Sequence, residues 1–396
     1  MTHHLHTRLL HTGSAPFDPE TRTAAVSLPA MRTSTVRFAD LAALDAAQER
    51  KAAGERAVTY GRSGLDTHRA LEDVFSQLEG GARTILAPSG LAAITLVFLG
   101  LLKAGEHALV ADCVYGPVRH LDHALLRGLG IEITYFDPAG ANLAELVRPQ
   151  TRMVYAESPG SLLMQMLDLP ALAAQARALG LPLVVDNTWG SGYIYRPLAL
   201  GADVSVVAGT KYVGGHSDLM LGAVVARDAE LGQRLAAMQY ALGYSVSADD
   251  AWLALRGSRT LPVRMAEHAR SALLVCEFLA QRPEVVRIFH PAWPQDPGHA
   301  LWRRDCTGSN GMMAVELALD TEAGRRFVDA LQLFAIGFSW GGYESLVQWV
   351  DPAALRPHAY APAPGNTIVR LHVGLEAVAD LTADIEQALQ ACRAAG

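Results

Sequence analysis

Lys211 stands in Ala208-Gly-Thr-Lys-Tyr, directly after the apolar stretch Asp203-Val-Ser-Val-Val. Asp186 closes a second apolar stretch, Leu181-Pro-Leu-Val-Val-Asp. Ser89-Gly90-Leu91 opens a long apolar run after Thr84-Ile-Leu-Ala. An amine, a carboxylate and a small Gly-containing entry to a helix suggest one chemistry when taken together. Free backbone N–H groups at a helix start suit a phosphate. A lysine can form a Schiff base, and an acid can keep a pyridine nitrogen protonated so that the ring acts as an electron sink. These are the parts needed for pyridoxal phosphate. Each alone is ordinary: a lysine after a strand is usually a solvated charge, a terminal Asp a cap, and Ser-Gly an N-cap.

The elements that must position these residues alternate. Arg152-Met-Val-Tyr-Ala-Glu-Ser reads as a strand. Leu169, Leu172, Ala173, Ala176 and Leu179 follow helical spacing, with Asp168 as N-cap and Gly180 as stop. The stretches ending at Asp186 and before Lys211 read as two further strands. Nearly continuous apolar strands separated by helices predict an α/β fold with a mostly parallel sheet covered on both faces. Ligands of such sheets sit beyond the carboxyl ends of the strands, where all three features lie. Farther on, Met265, Ala269, Leu273 and Cys276 line one face of a long helix. Thr367 to Val373 alternates, so Arg370 lies opposite Val369 and Leu371. Val378, Leu381, Ile385 and Leu389 mark a last helix. These patterns predict an N-terminal arm over 1–60, a large cofactor-binding domain over 61–256 and a smaller C-terminal α+β domain over 257–396.

Composition narrows the function. Of 396 residues, half are apolar and 18% are charged, against about 25% charged in a typical globular chain, so disordered and fibrous classes are excluded. The net charge of -7 and the lack of a basic stripe argue against a nucleic-acid binder. The run from Leu91 to Leu102 is too short to span a bilayer, and the N-terminus carries no hydrophobic signal region. Cys113, Cys276, Cys306 and Cys392 are scattered, with no Cys/His spacing for a structural zinc. The expectation is a reduced, cytoplasmic protein without a bound metal. Only three of the 33 basic residues are lysines: Lys51, Lys103 and Lys211. Lys51 lies in a charged arm segment and Lys103 ends an apolar helix. Only Lys211 has a chemical reason not to be arginine.

Eight motifs then carry a resemblance. They are Tyr60-Gly-Arg-Ser-Gly, Leu78-Glu-Gly-Gly, Glu157-Ser-Pro-Gly-Ser, Asp186-Asn-Thr-Trp, Thr210-Lys-Tyr-Val-Gly-Gly-His-Ser-Asp, Arg256-Gly-Ser-Arg-Thr-Leu, Ser339-Trp-Gly-Gly-Tyr-Glu-Ser-Leu and Arg370-Leu-His-Val-Gly-Leu-Glu. In this order, over almost the whole chain, the sequence resembles the Cys/Met-metabolism family of pyridoxal-phosphate enzymes. The resemblance implies the type I transferase fold, with a sheet of the seven-stranded type. It makes Lys211 the Schiff-base lysine and proton carrier and sets Tyr115 beside it, stacked on the cofactor ring. Asp186 pairs with the pyridine nitrogen, and Gly90, Leu91 and Thr210 hold the phosphate. Tyr60 and Arg62 reach the cofactor phosphate of a neighbouring subunit, so the active form is at least a dimer and in this family usually a tetramer. Arg370 takes the substrate α-carboxylate as a bidentate fork. Ser339, Trp340 and Tyr240 border the substrate.

Within the family, Tyr115-Gly-Pro and Trp340 after Ser339 match the β-lyase pattern. The implied activity is β-elimination of an amino-acid thioether, cystathionine, to homocysteine, pyruvate and ammonia in methionine biosynthesis. The family alternatives are a γ-lyase, a γ-synthase and a cysteine or cystine desulfhydrase. Two positions depart from the pattern. Ala208 stands where many relatives carry a phosphate-binding Ser, and Thr59 stands where an aromatic is expected before Tyr60. A distant alternative is a serine hydrolase, because Gly337-Phe-Ser-Trp-Gly341 matches G-x-S-x-G and Asp351 and His358 follow.

Overall fold

The computed structural model describes residues 3–355 and 360–393. Its larger sheet contains β1 (Arg83–Ala87), β2 (His107–Ala111), β3 (Glu132–Phe136), β4 (Thr151–Glu157), β5 (Leu183–Asp186), β6 (Val204–Val207) and β7 (Gly222–Ala226). The strand order is β1-β7-β6-β5-β4-β2-β3. Strands β6, β5, β4, β2 and β3 pair in parallel, while β7 runs antiparallel to both β6 and β1. Every residue of β2, β5, β6 and β7 is buried, as a sheet covered on both faces requires. The carboxyl ends of β1, β2, β4, β5 and β6 therefore meet along one edge.

Helices Asp66–Glu79, Gly90–Leu101 and Leu169–Ala178 supply that cover. The first apolar run is a buried helix, capped by Ser89, whose side chain accepts the Ala92 N–H. The Asp168 side chain caps the third by accepting the Ala171 N–H. Such caps satisfy backbone donors that the helix itself leaves unpaired.

A five-stranded sheet follows, built from β8 (Val285–Phe289), β9 (Met312–Leu317), β10 (Ala335–Ile336), β11 (Leu346–Trp349) and β12 (Thr367–His372), in the order β10-β11-β12-β9-β8. Helix Leu261–Leu279 bridges the two units. Its Leu261 and Met265 belong to the core of the large sheet, and its Ala272, Val275, Cys276 and Leu279 to that of the small one. The buried face of this helix passes through His268 and Ala272; Ala269 and Leu273 are only half-buried. The heptad-like spacing read from the sequence is thus rotated, because two polar residues, Arg264 and His268, occupy the buried stripe. Helix Val378–Arg393 packs on the small core through Leu381, Ile385 and Leu389. Among residues up to 60, helices Leu5–His11 and Leu41–Ala52 form. Gly257 lies in the last turn of helix Ala248–Ser258. A Cβ there would meet the Gly214 carbonyl oxygen at 2.2 Å, so this helix end is pressed against the Lys211 loop.

Candidate active site

Lys211 leaves β6 on a turn that three groups hold in place. The Arg264 guanidinium donates to the Tyr212 carbonyl at 2.7 Å and to the Gly257 carbonyl at 2.8 Å. Tyr212 is fully buried and its hydroxyl accepts the Gly311 N–H at 3.0 Å. Gly341 approaches so closely that a Cβ would lie 2.8 Å from the Tyr212 nitrogen, and its φ of +89° is left-handed. The segment from Ser339 to Gly342 is thereby laid over the lysine. The Nζ of Lys211 donates to the Ser339 hydroxyl at 2.5 Å and sits 5.5 Å from the Trp340 ring centroid. Burial pushes the lysine pKa down to about 8, Arg370 adds repulsion, and Asp186 pulls the other way.

Asp186 is buried at the end of β5 and accepts the Thr188 N–H at 2.9 Å. Burial raises its pKa, against hydrogen bonds from Thr188 and Tyr155 and the charge of Lys211. Glu157 lies across from it in the β4–β5 register and accepts the Tyr115 N–H at 2.6 Å. Burial, and then the Asp186 charge, push the Glu157 carboxyl well above the usual carboxylate range. The Glu157 carboxyl thereby fixes the backbone of Tyr115.

Arg370 projects from β12 on the face opposite Val369 and Leu371, which are buried. It donates to the Ser339 carbonyl at 3.3 Å. Desolvation brings its pKa down to about 10, with Tyr115 acting in the opposite sense. The same face carries His372, buried beneath the loop, whose Nε2 lies 3.1 Å from the Gly341 nitrogen and 3.2 Å from the Gly342 oxygen. Lys211, Asp186, Tyr115, Ser339, Trp340 and Arg370 thus form one site, joined by these contacts and by their mutual electrostatics.

Gly90 and Leu91 begin the helix beside it. A Cβ on Gly90 would lie 2.7 Å from the Ala208 Cβ, so the helix start and the β6 turn touch. A larger Ala208 side chain would crowd that contact. The Thr210 hydroxyl donates to the Leu221 carbonyl at 3.1 Å and accepts the Leu221 N–H at 2.9 Å. Its single proton is thus engaged by the protein and must turn to reach a phosphate.

Tyr60, Arg62 and Tyr240 form a separate cluster. The Arg62 guanidinium lies 4.5 Å from the Tyr240 ring centroid and donates to the Tyr240 carbonyl at 3.3 Å. Tyr60 and Tyr240 are exposed, and the cavity lined by Tyr60 and Arg62 runs to Met31–Ser34 and Ser245–Asp249, without Lys211 or Asp186. The structure thus sets Tyr240 against Arg62 and not against the residues around Lys211.

The hydrolase constellation does not assemble among the described residues. Ser339 accepts from a lysine, no helix starts directly after it, and the Asp351 carboxylate caps the Ala353 N–H. His358 lies outside the described residues.

The profile of the Cys/Met metabolism PLP-dependent enzyme matches residues 6–390. The chain belongs to this family. A cystathionine beta-lyase of Bordetella avium is 67% identical over 386 residues, 98% of this chain and 97% of that protein. A cystathionine beta-lyase of Escherichia coli K12 is 40% identical, covering 91% of this chain and 93% of that one. Among solved structures, a cystathionine gamma synthase from Xanthomonas oryzae pv. oryzae, in complex with cystathionine, superposes with a TM-score of 0.89 at 32% identity over the whole of both chains. As a member of the Cys/Met-metabolism family the chain is pyridoxal-phosphate-dependent.

The residues present fit that cofactor. Asp186, Lys211 and Arg370 are buried or half-buried, and none takes part in an ion pair among those formed by the described residues. Enclosed charges are normally paired. Here an acid and a guanidinium wait for counter-charges that a pyridinium ring and a substrate carboxylate would bring, and the amine for the carbonyl group with which it would condense. Sequence reading singled out these three but missed Glu157, Thr188 and His372. All three stand inside the quoted motifs, yet the partners of Glu157 and His372 lie 42 and 31 residues away.

Proposed function

We propose that this chain is a carbon–sulfur lyase that cleaves cystathionine to homocysteine, pyruvate and ammonia, with one water consumed. The observation that carries this reading is the set of enclosed, unpaired charges around Lys211. The names of the relatives at 67% and 40% identity support it. The cofactor, when bound, supplies an electron sink for the charge left at the substrate α-carbon.

The chain's own residues do the rest. Asp186 would face the ring nitrogen and keep it protonated. Arg370 grips the α-carboxylate and so fixes which side of the substrate faces Lys211. Lys211 takes the α-proton at Nζ and delivers it to the departing sulfur. A lysine brought down to about 8 can serve in both directions near neutral pH. The Ser339 hydroxyl holds the free amine beside the reacting atoms, and Trp340 and Tyr115 exclude water. Backbone donors at Gly90 and Leu91, with Thr210, would receive the phosphate, one hydroxyl fewer than where a Ser replaces Ala208.

Tyr60 and Arg62 lie at an exposed surface apart from Lys211. This placement suits a role across a subunit boundary, on a neighbour's cofactor phosphate. The active form is then at least a dimer, and a tetramer on the family pattern. Tyr240 belongs to that boundary. The division into an arm to residue 60 and domains meeting at 256 is part of the same reading, as is a cytoplasmic location. No described helix is long and apolar enough to cross a membrane.

Product analysis tests the reaction. Pyruvate with homocysteine from cystathionine is expected. Production of 2-oxobutyrate with cysteine would make the chain a γ-lyase, and the fold shared with a γ-synthase shows that architecture alone does not choose between them.

A further inference from the structure

Beneath Asp186 lies a second carboxyl group that the reaction does not use. Glu79 is the last residue of helix Asp66–Glu79, 1% exposed, and forms no ion pair among those of the described residues. We propose that Glu79 is a positioning residue for Asp186, an uncharged strut that fixes, through Asn187, the turn carrying the acid of the cofactor ring. This inference rests on the assignment of Asp186 to the ring nitrogen.

The geometry is that of a clamp. Glu79 Oε1 accepts from Asn187 Nδ2 at 2.8 Å, and the same amide nitrogen donates to the Tyr195 carbonyl at 2.9 Å. The Asn187 N–H donates to the Val206 carbonyl at 2.8 Å, and its carbonyl accepts the Ser191 N–H at 2.7 Å. Asn187 has no exposure at all. The turn then wraps back over the acid: a Cβ on Gly192, where φ is +65°, would lie 2.8 Å from Glu79 Oε1. Asp186 is the residue before Asn187, so its position is set by this turn.

Three effects keep the strut neutral. It is buried, it closes a helix whose carboxyl end is electronegative, and the Asp186 charge is nearby. Burial dominates and raises its pKa to about 8, against Asn187, Ser205 and the Arg196 charge. Asp186 and Arg196 are the charged groups that act on it. The second carboxyl oxygen has a neighbour too. Oε2 and the Ser205 hydroxyl are both buried and have no other hydrogen-bond partner, and Ser205 stands beside the carboxyl on β6. A neutral Glu79 can donate there or accept from the Ser205 hydroxyl, while an ionised one would add a like charge in the neighbourhood of Asp186 and favour protonation of Asp186.

The test compares holoenzymes of Glu79→Ala, Glu79→Gln and Asp186→Ala. Two quantities are read: the rate of cofactor loss, and the pH midpoint of the visible band. Glu79→Ala should lose cofactor about tenfold faster, the effect of one buried hydrogen-bonded group. Its visible band should titrate at higher pH, because a loosened Asp186 holds less charge on the ring and leaves the Lys211 linkage more basic. Glu79→Gln, isosteric, neutral and able to donate to Ser205, should match wild type in both readouts. Wild-type behaviour of Glu79→Ala, an unmoved midpoint, or a Gln variant as damaged as the Ala variant would each overturn the proposal. Asp186→Ala separates the two layers. If it holds cofactor like wild type, the assignment of Asp186 has failed. If it loses cofactor while Glu79→Ala does not, only the role of Glu79 has failed. Should Glu79→Ala not fold, Asn187→Ala cuts the same bridge and carries the same expectations.

Discussion

Two groups of buried charge differ in how they are satisfied. Asp384, in the last helix, accepts the N–H groups of Gln332, Leu333 and Phe334 and a side-chain donor from Gln387. Glu316, on β9, accepts from the Tyr360 hydroxyl, the Ala363 N–H and the Asn366 amide. Both carboxylates are saturated by the protein. Lys211, Asp186 and Arg370 are the opposite case: each is enclosed, Lys211 and Arg370 make one hydrogen bond each, Asp186 is held by Thr188, and none of the three takes part in an ion pair among the described residues. A saturated buried charge holds a fold together. An enclosed charge left without a counter-charge costs stability and is retained where a ligand completes it.

The contrast can be broken by substitution. Lys211→Ala should reduce turnover at least about a thousandfold, the upper range for a positioned proton carrier, while its melting temperature stays close to that of wild type. Steady-state kinetics with a thermal scan checks both halves. Asp384→Ala should do the reverse. Stranding three backbone donors should cost about 2–3 kcal/mol of stability, with kcat per folded molecule unchanged; denaturant titration reads it. If that variant is stable but inactive, the division between the two groups is wrong. Arg370→Lys, which keeps the charge but loses the fork, should raise KM about tenfold or more and leave the fold intact. Ser339→Ala should have the smallest effect, a fall in kcat of up to about tenfold for one hydrogen bond to the lysine.

A pH profile sharpens the same comparison. The Lys211 pKa is depressed, so its neutral fraction grows as pH rises through about 8. The basic form is the proton acceptor, so the activity of the free-lysine step should climb over that range. Removing Arg370 takes away the positive charge that repels the lysine and should move the limb to higher pH.

The elements were legible in the sequence because each rests on local pattern. Four of the apolar strands and the helix begun by Ser89 follow from runs of a few residues, and so does the placement of Asp186 and Lys211 at strand ends. The helix over Leu261–Leu279 shows where local pattern gives way. Its buried stripe includes Arg264, whose partners are carbonyls at Tyr212 and Gly257, and no spacing rule anticipates a buried arginine. Tyr240 shows the same limit: its neighbour, Arg62, is 178 residues distant. Long-range polar pairs such as Tyr115–Glu157 and Glu79–Asn187 are set by how strands order themselves in the sheet, which side-chain periodicity does not encode.

The central claim is that Lys211 carries the cofactor. Lys51 is exposed in helix Leu41–Ala52, 5.0 Å from the Tyr240 ring centroid, and Lys103 is exposed beyond the helix Gly90–Leu101. Borohydride reduction of the holoenzyme followed by peptide mapping distinguishes the three. A reduced cofactor on the peptide containing Lys211 is the expected result; a label on Lys51 or Lys103, or on no lysine, would contradict the account.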